Sequence, residues 1–185
     1  MPSPVTLNRH GRPHFDLITW LGYYKGATPG VIGADNATTR LDLDNEPQPD
    51  AVLFIDPAKG GHARISPDDY IEDAPELVAE VASSSASYDL NDKLKAYRRN
   101  GVREYIVWRV RDRQIDWFVL KRGKYLRLRL DESGVYRSRI FPGLWLEPAS
   151  LIRSDTMAVL ATLQRGLASP EHAAFVARLN PEPKS

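Results

Sequence analysis

Six residues, Leu77-Val-Ala-Glu-Val-Ala82, constrain this chain more than any other segment. The run follows Pro75, is apolar at every position but one, and carries a carboxylate, Glu80, at its centre. A stretch this short and this apolar reads as a strand buried on both faces, inside a sheet that helices cover. Side chains alternate along a strand, so Val78, Glu80 and Ala82 share one face and Leu77, Ala79 and Val81 the other. A carboxylate among such neighbours cannot stay ionised without a cation or several hydrogen-bond donors. The alternative is an edge strand whose Glu80 face meets water, and the apolar run argues against it.

Two more polar residues sit in apolar elements. Asp50 opens the strand at residues 49–56, PDAVLFID, on the face of Val52, Phe54 and Asp56; proline is tolerated at a strand start. A Pro-Asp pair is also a common turn, in which the aspartate caps backbone. Lys93 lies in a helix that the serine-rich segment 83–87 caps and that runs to about Asn100, with Gly101 as its C′ glycine. At roughly 100° per residue, Ala86, Leu90, Leu94 and Tyr97 form one stripe. Lys93 falls beside that stripe, whereas Lys95 lies on the solvent side with Asn91 and Arg99. A lysine there can also snorkel from the stripe's edge or pair with Asp89. Together, two acids from adjacent strands and a lysine from the next helix can converge on one point. Two carboxylates and a backbone carbonyl such as that of Val81 suit Mg²⁺, which takes oxygen ligands and keeps several waters. The lysine would then orient the attacking water and offset phosphate charge.

The rest of the chain sets bounds. Its 185 residues fit one domain, taken as 14–185, after a polar, Pro- and Arg-rich segment 1–13 expected to be loose. A helix over 14–24 precedes strands around 31–44 and 49–56. After the central helix come strands at REYIVWRV, QIDWFVL, KYLRLRL and VYRSRIF, then helices at about 154–166 and 170–179. The order is α/β (α+β), a mixed central sheet flanked by helices. With no cysteine, thiolate metal sites and cysteine nucleophiles are excluded, and a reducing cytoplasm suits the chain. No apolar leader or membrane-length run is present. A net charge of +1 makes no case for nucleic acid, so any such contact falls to Arg98-Arg99, Arg109–Arg113 or Lys121–Lys124. His10, His14, His62 and His172 have no local tie to the acids, and no zinc site is expected. Ser83–Ser85 reads as a helix cap rather than a nucleophile. Met157, Leu160, Leu163 and Leu167 give the C-terminal helices a face that covers the sheet or a second copy.

Pro49-Asp50, PELVAEVASSS at 75–85 and DLNDKLKAYRRNGVREYIVW at 89–108 resemble the Uma-two family of restriction-endonuclease-like proteins, within the PD-(D/E)xK nuclease superfamily. FPGLWLE at 141–147 and SPEHAAFVARL at 169–179 are similar to it too. The resemblance implies a mixed sheet of four or five strands and a Mg²⁺- or Mn²⁺-dependent site that hydrolyses DNA phosphodiester bonds. It assigns the two acids to Asp50 and Glu80 and the lysine to Lys93, because Ala82 stands where the superfamily's strand lysine would be. Members usually carry an upstream Asp-Gly-Glu element, which this chain starts too late to show; either one acid of the site is absent or the gene start is misplaced. Three readings follow: a DNA endonuclease, expected as a homodimer; an RNA-directed nuclease; and a non-catalytic nuclease-fold module that binds DNA or a partner protein.

Overall fold

A computed structural model describes residues 6–42, 46–82 and 89–181, except for the side chains of Asp89 and Leu90. A π-helical turn, Leu7–Gly11, leads into α1 (Arg12–Gly26), so helical backbone begins well before residue 14. Strands β1 (Val31–Asp35), β2 (Thr39–Arg40), β3 (Ala51–Ile55), β4 (Arg64–Ile65), β5 (Ile71–Glu72) and β6 (Leu77–Ala82) follow. A second π-helical turn, Asp89–Lys93, enters α2 (Leu94–Arg99). Then come β7 (Glu104–Arg109), β8 (Gln114–Lys121), β9 (Lys124–Arg127), β10 (Tyr136–Arg137) and β11 (Trp145–Leu146). Helices α3 (Pro148–Ile152), α4 (Thr156–Leu167) and α5 (Pro170–Leu179) close the chain.

The main sheet has six strands in the order β1-β3-β6-β7-β8-β9, more than the four or five expected. Every neighbouring pair is antiparallel except β6 and β7. A parallel pair needs a crossover, and the connection through α2 supplies it. The sheet is therefore mixed, with β6 inside it and buried at all six positions.

The alternation read from the sequence holds. Leu77, Ala79 and Val81 pack with Trp20, Trp117 and Leu163 on the side of α1 and α4. Val78 and Ala82 pack with Val52, Phe54, Tyr97 and Tyr105 on the side of α2. Trp20 and Trp117 are fully buried and meet edge to face at 5.9 Å, each contributing roughly 1.5–3 kcal/mol from burial. Gly101, at φ +85°, ends α2 in the left-handed region that favours glycine. The serine-rich cap at 83–87, with Ala86, lies outside the described residues.

Two expected strands are shorter than their alternation suggests. KYLRLRL keeps strand register only to Arg127, with one further bond from Leu128 N–H to the Trp117 carbonyl, and Leu126 and Leu130 are about half exposed on this edge of the sheet. VYRSRIF contributes only Tyr136–Arg137, which pair with Trp145–Leu146 in a separate two-stranded sheet.

Two buried acids latch the end of β6 farthest from Glu80. Glu76 accepts Ile55 N–H at 2.9 Å and His62 N–H at 3.0 Å. The loop reaches it only because residue 61 is glycine: a Cβ there would lie 1.7 Å from the Ile55 carbonyl oxygen. Glu104, fully buried, accepts Ser138 Oγ–H at 2.6 Å and Arg139 N–H at 2.7 Å. Burial pushes its carboxyl up to about 7, and the donors only partly oppose this.

Candidate active site

At the opposite end of β6 the acids meet ionisable side chains as well as backbone. Ala51 and Ala79 are the last residues in register between β3 and β6, and Asp50 and Glu80 come next on the two antiparallel strands. Both project to the face that α2 covers. Lys93 ends the π-helical turn that feeds α2, and its Nζ lies 3.0 Å from Glu80 Oε2. Tyr97, one helical turn on, donates its hydroxyl to Glu80 Oε1 at 2.7 Å. Glu80's side chain is 5% exposed and Lys93's 35%, so the lysine spans from the buried carboxylate to solvent. Lys95, by contrast, points outward to Asp92.

Charge at Glu80 is contested. Burial pushes its carboxyl above the usual range, the Lys93 ammonium and the Tyr97 hydroxyl pull it down, and the Asp50 charge pushes it up again. The net direction is upward. Tyr97 stays protonated, because burial and the neighbouring Glu80 both raise its phenol. It is a hydrogen-bond donor here, not a base.

Asp50 is held from two sides. Its Oδ2 accepts Val81 N–H at 2.6 Å, tying the opening of β3 to the end of β6. Its Oδ1 faces His10 Nε2 at 3.4 Å. The other ring nitrogen of His10, Nδ1, lies 3.2 Å from the Val81 carbonyl oxygen, and His14 Nε2 lies 3.0 Å from the Asp50 carbonyl oxygen. Carbonyls only accept, so both of those ring nitrogens carry hydrogen and donate. The two imidazoles stack with centroids 5.5 Å apart.

Asp50, Val81, Glu80 and Lys93 thus lie at one end of β6, with Asp50 joined to Val81 and Glu80 to Lys93. His10, His14 and Tyr97 are additions. The signal for the histidines was there: His10 and His14 stand four apart, the spacing that puts two side chains on one helical face. A helix beginning at residue 14 hides that relation, and the turn at Leu7–Gly11 restores it. Tyr97 reads as a core anchor from its stripe, and its ring is one, while its hydroxyl serves Glu80.

The donors suit a hard divalent cation in kind: two carboxylates and the Val81 carbonyl are all oxygen ligands. They are not gathered tightly around one point, because both Glu80 oxygens are turned to Lys93 and Tyr97. Among the described residues, no three His, Cys, Asp or Glu side chains stand close enough to hold a metal ion as they are.

Two of the basic patches differ in their surroundings. Arg109 is drawn into Asp116, Asp112 and Gln114, and Arg127 pairs with Asp116 at 2.6 Å. Lys95, Arg98 and Arg99 line an open depression with Asp92 and Gly123, on the helix that follows Lys93, where Arg99 pairs with Asp42 at 3.0 Å and Lys95 with Asp92 at 3.5 Å. No helix among the described residues is long and apolar enough to cross a membrane.

A family model named Uma2 (Uma-two), described as "Putative restriction endonuclease", matches residues 1–149. Among solved structures, a "putative nuclease belonging to DUF820" from Anabaena variabilis ATCC 29413 is similar with a TM-score of 0.56. The likeness covers 82% of this chain and 86% of that one at 10% identity, so it speaks for the fold alone. No curated protein matches the chain.

Proposed function

The chain belongs to the Uma2 family, and on that premise we propose that it is a divalent-metal-dependent endonuclease that hydrolyses DNA phosphodiester bonds. The observation that carries this reading is the Lys93 ammonium 3.0 Å from Glu80, on the face it shares with Asp50. A lysine recruited to a buried acid could be a plain ion pair. The second acid beside it is what an ion pair does not need, since Asp50 pushes Glu80 toward protonation.

In this reading Asp50, Glu80 and the Val81 carbonyl hold Mg²⁺ or Mn²⁺. When bound there, the cation supplies charge neutralisation at the phosphate and a more acidic water. Lys93, half-buried and donating from Nζ, orients the attacking water and stabilises charge on the phosphoryl oxygens. Tyr97 keeps Glu80 aimed at the site. Water's oxygen bonds to phosphorus and releases a proton to solvent, the ester P–O bond breaks, and the leaving oxygen takes up a proton from solvent. Lys95, Arg98 and Arg99 carry the phosphate backbone past the site. Cutting both strands of a duplex calls for two such sites, which a homodimer with two-fold symmetry supplies.

Incubating supercoiled plasmid with Mg²⁺ or Mn²⁺ tests the proposal. Wild type should nick or linearise it, and Asp50→Ala, Glu80→Ala and Lys93→Ala should each lose at least about a hundredfold of the rate. No cleavage by wild type, or equal cleavage by the variants, contradicts it. Cleavage of an RNA of matched length at the same rate would move the substrate class to RNA. One observation favours a second reading, a non-catalytic module that binds DNA or a partner protein: both Glu80 oxygens already have partners. Such a module binds plasmid without cutting it, and its melting temperature does not respond to Mn²⁺.

A further inference from the structure

The turn between β8 and β9 breaks two local rules within four residues. Lys121 and Lys124 are in register, so Arg122-Gly123 is a two-residue hairpin turn, with φ +50° and +74°. Left-handed backbone at both positions is the type I′ shape, which favours Asn-Gly over Arg-Gly. Two lysines directly opposite each other also repel across the strand pair. Broken rules of this kind cluster where a chain serves something other than its own stability. All four residues are exposed. Among the described residues, no acid lies within ion-pair distance of Arg98, Lys121, Arg122 or Lys124. Gly123 borders the depression that Lys95, Arg98 and Arg99 line, and Tyr125 fixes the turn there by donating its hydroxyl to the Val102 carbonyl at 2.7 Å.

Phe118 and Tyr125 face the side of α2, so by alternation Lys121 and Lys124 project from the other face of the sheet. The tip thus has the cations of α2 on one side and its own lysines on the other, with Arg122 between. One phosphate backbone needs only one such side. A groove of a duplex has a backbone on each side, and a two-stranded β-ribbon is narrow enough to enter one. Single strands are instead held by exposed rings that stack on bases. The rings beside this tip are turned inward: Tyr97 and Phe118 are buried and Tyr125 is half-buried. Asp116 is level with Glu80 across β7, and Arg122 lies six residues farther along β8, roughly 20 Å or about six base-pair rises.

We propose that the β8–β9 turn grips duplex DNA by entering a groove about six base pairs from the bond that is cut, with the nuclease reading above as its premise. One backbone lies along Lys95, Arg98 and Arg99, the other against Lys121 and Lys124, and Arg122 stands in the groove between them. The turn contributes affinity and position, not chemistry, because it is far from Asp50, Glu80 and Lys93.

Binding of a labelled duplex to the full-length protein without divalent ion, followed by fluorescence anisotropy over a range of salt, is measured beside plasmid cleavage with Mn²⁺. Arg122→Asn should melt no lower than wild type, because asparagine suits the turn. It should nevertheless bind duplex about fivefold or more weakly, with the slope of log affinity against log salt smaller by about one. Lys121→Ala combined with Lys124→Ala should lower that slope by about two. A single strand of the same length should lose less in each variant. Equal losses on the single strand overturn entry into a groove, and a lower melting temperature for Arg122→Asn would give the arginine to the fold instead. Tighter binding to vesicles containing phosphatidylserine than to duplex would make the tip a membrane contact and overturn the proposal. Wild type that cleaves plasmid while the variants bind duplex as it does removes this proposal and leaves the nuclease reading standing. Wild type that neither binds nor cleaves DNA removes both.

Discussion

Buried acids mark both ends of β6, and the two ends satisfy them in different currencies. At one end Glu76 and Glu104 take backbone N–H groups and a serine hydroxyl, none of which titrates near neutrality. The two acids are themselves tied, since Glu104 N–H donates to the Glu76 carbonyl at 2.9 Å. At the other end Asp50 accepts Val81 N–H and faces His10, and Glu80 meets the buried Tyr97 hydroxyl and the Lys93 ammonium, which reaches solvent. All four carboxylates are buried, so burial alone does not separate a latch from a site. What separates them is one partner: backbone donors spend a carboxylate on the fold, whereas the part-exposed Lys93 ammonium leaves Glu80 free to exchange it for another.

That contrast can be broken by experiment, beginning where the effect should be largest. Glu76→Ala orphans two backbone N–H groups at about 1–3 kcal/mol each, so chemical denaturation should show a loss of about 3 kcal/mol or more. A cost near zero would mean that the latch does not hold the loop. Glu104 titrates in the fold at about 7, above its unfolded value. Its protonated form is therefore favoured on folding, and the stability it adds is present at pH 4.5 and lost as pH rises through 7, by up to about 3 kcal/mol. Glu104→Gln should flatten that slope in melting temperature against pH, whatever its absolute stability. At the other end, Mn²⁺ at a hundred times its dissociation constant should stabilise wild type by about 2.7 kcal/mol. Asp50→Ala should abolish that response. Smallest of all, Glu80→Gln should change metal-free stability by no more than about 1 kcal/mol. The glutamine carbonyl still accepts from Tyr97, and Lys93 can turn to water. A large loss there would make Glu80 a latch like the others.

Much of this was legible in the chain. The alternation in LVAEVA placed Glu80 on the correct face, and helical phase chose Lys93 over Lys95. Both are local properties of one element. Where the outcome depended on long-range partners, the sequence was silent. His10 reaches Val81 across 71 positions, and only the turn at Leu7–Gly11 aims it there. Glu76 and Glu104 open apolar runs much as Asp50 does, and nothing local tells which acid will find backbone and which will find lysine. KYLRLRL has clean alternation, yet β9 lies at the edge of the sheet and keeps strand register only as far as Arg127.

The central claim is that one end of β6 performs chemistry and the other holds the fold. Plasmid cleavage with Mn²⁺ by Glu80→Gln and Glu104→Gln, at a pH and temperature where both are folded, tests it most directly. The account predicts that Glu80→Gln loses at least about a hundredfold of the wild-type rate and that Glu104→Gln stays within about threefold of it. Equal rates for the two variants, or a larger loss in Glu104→Gln, would contradict it.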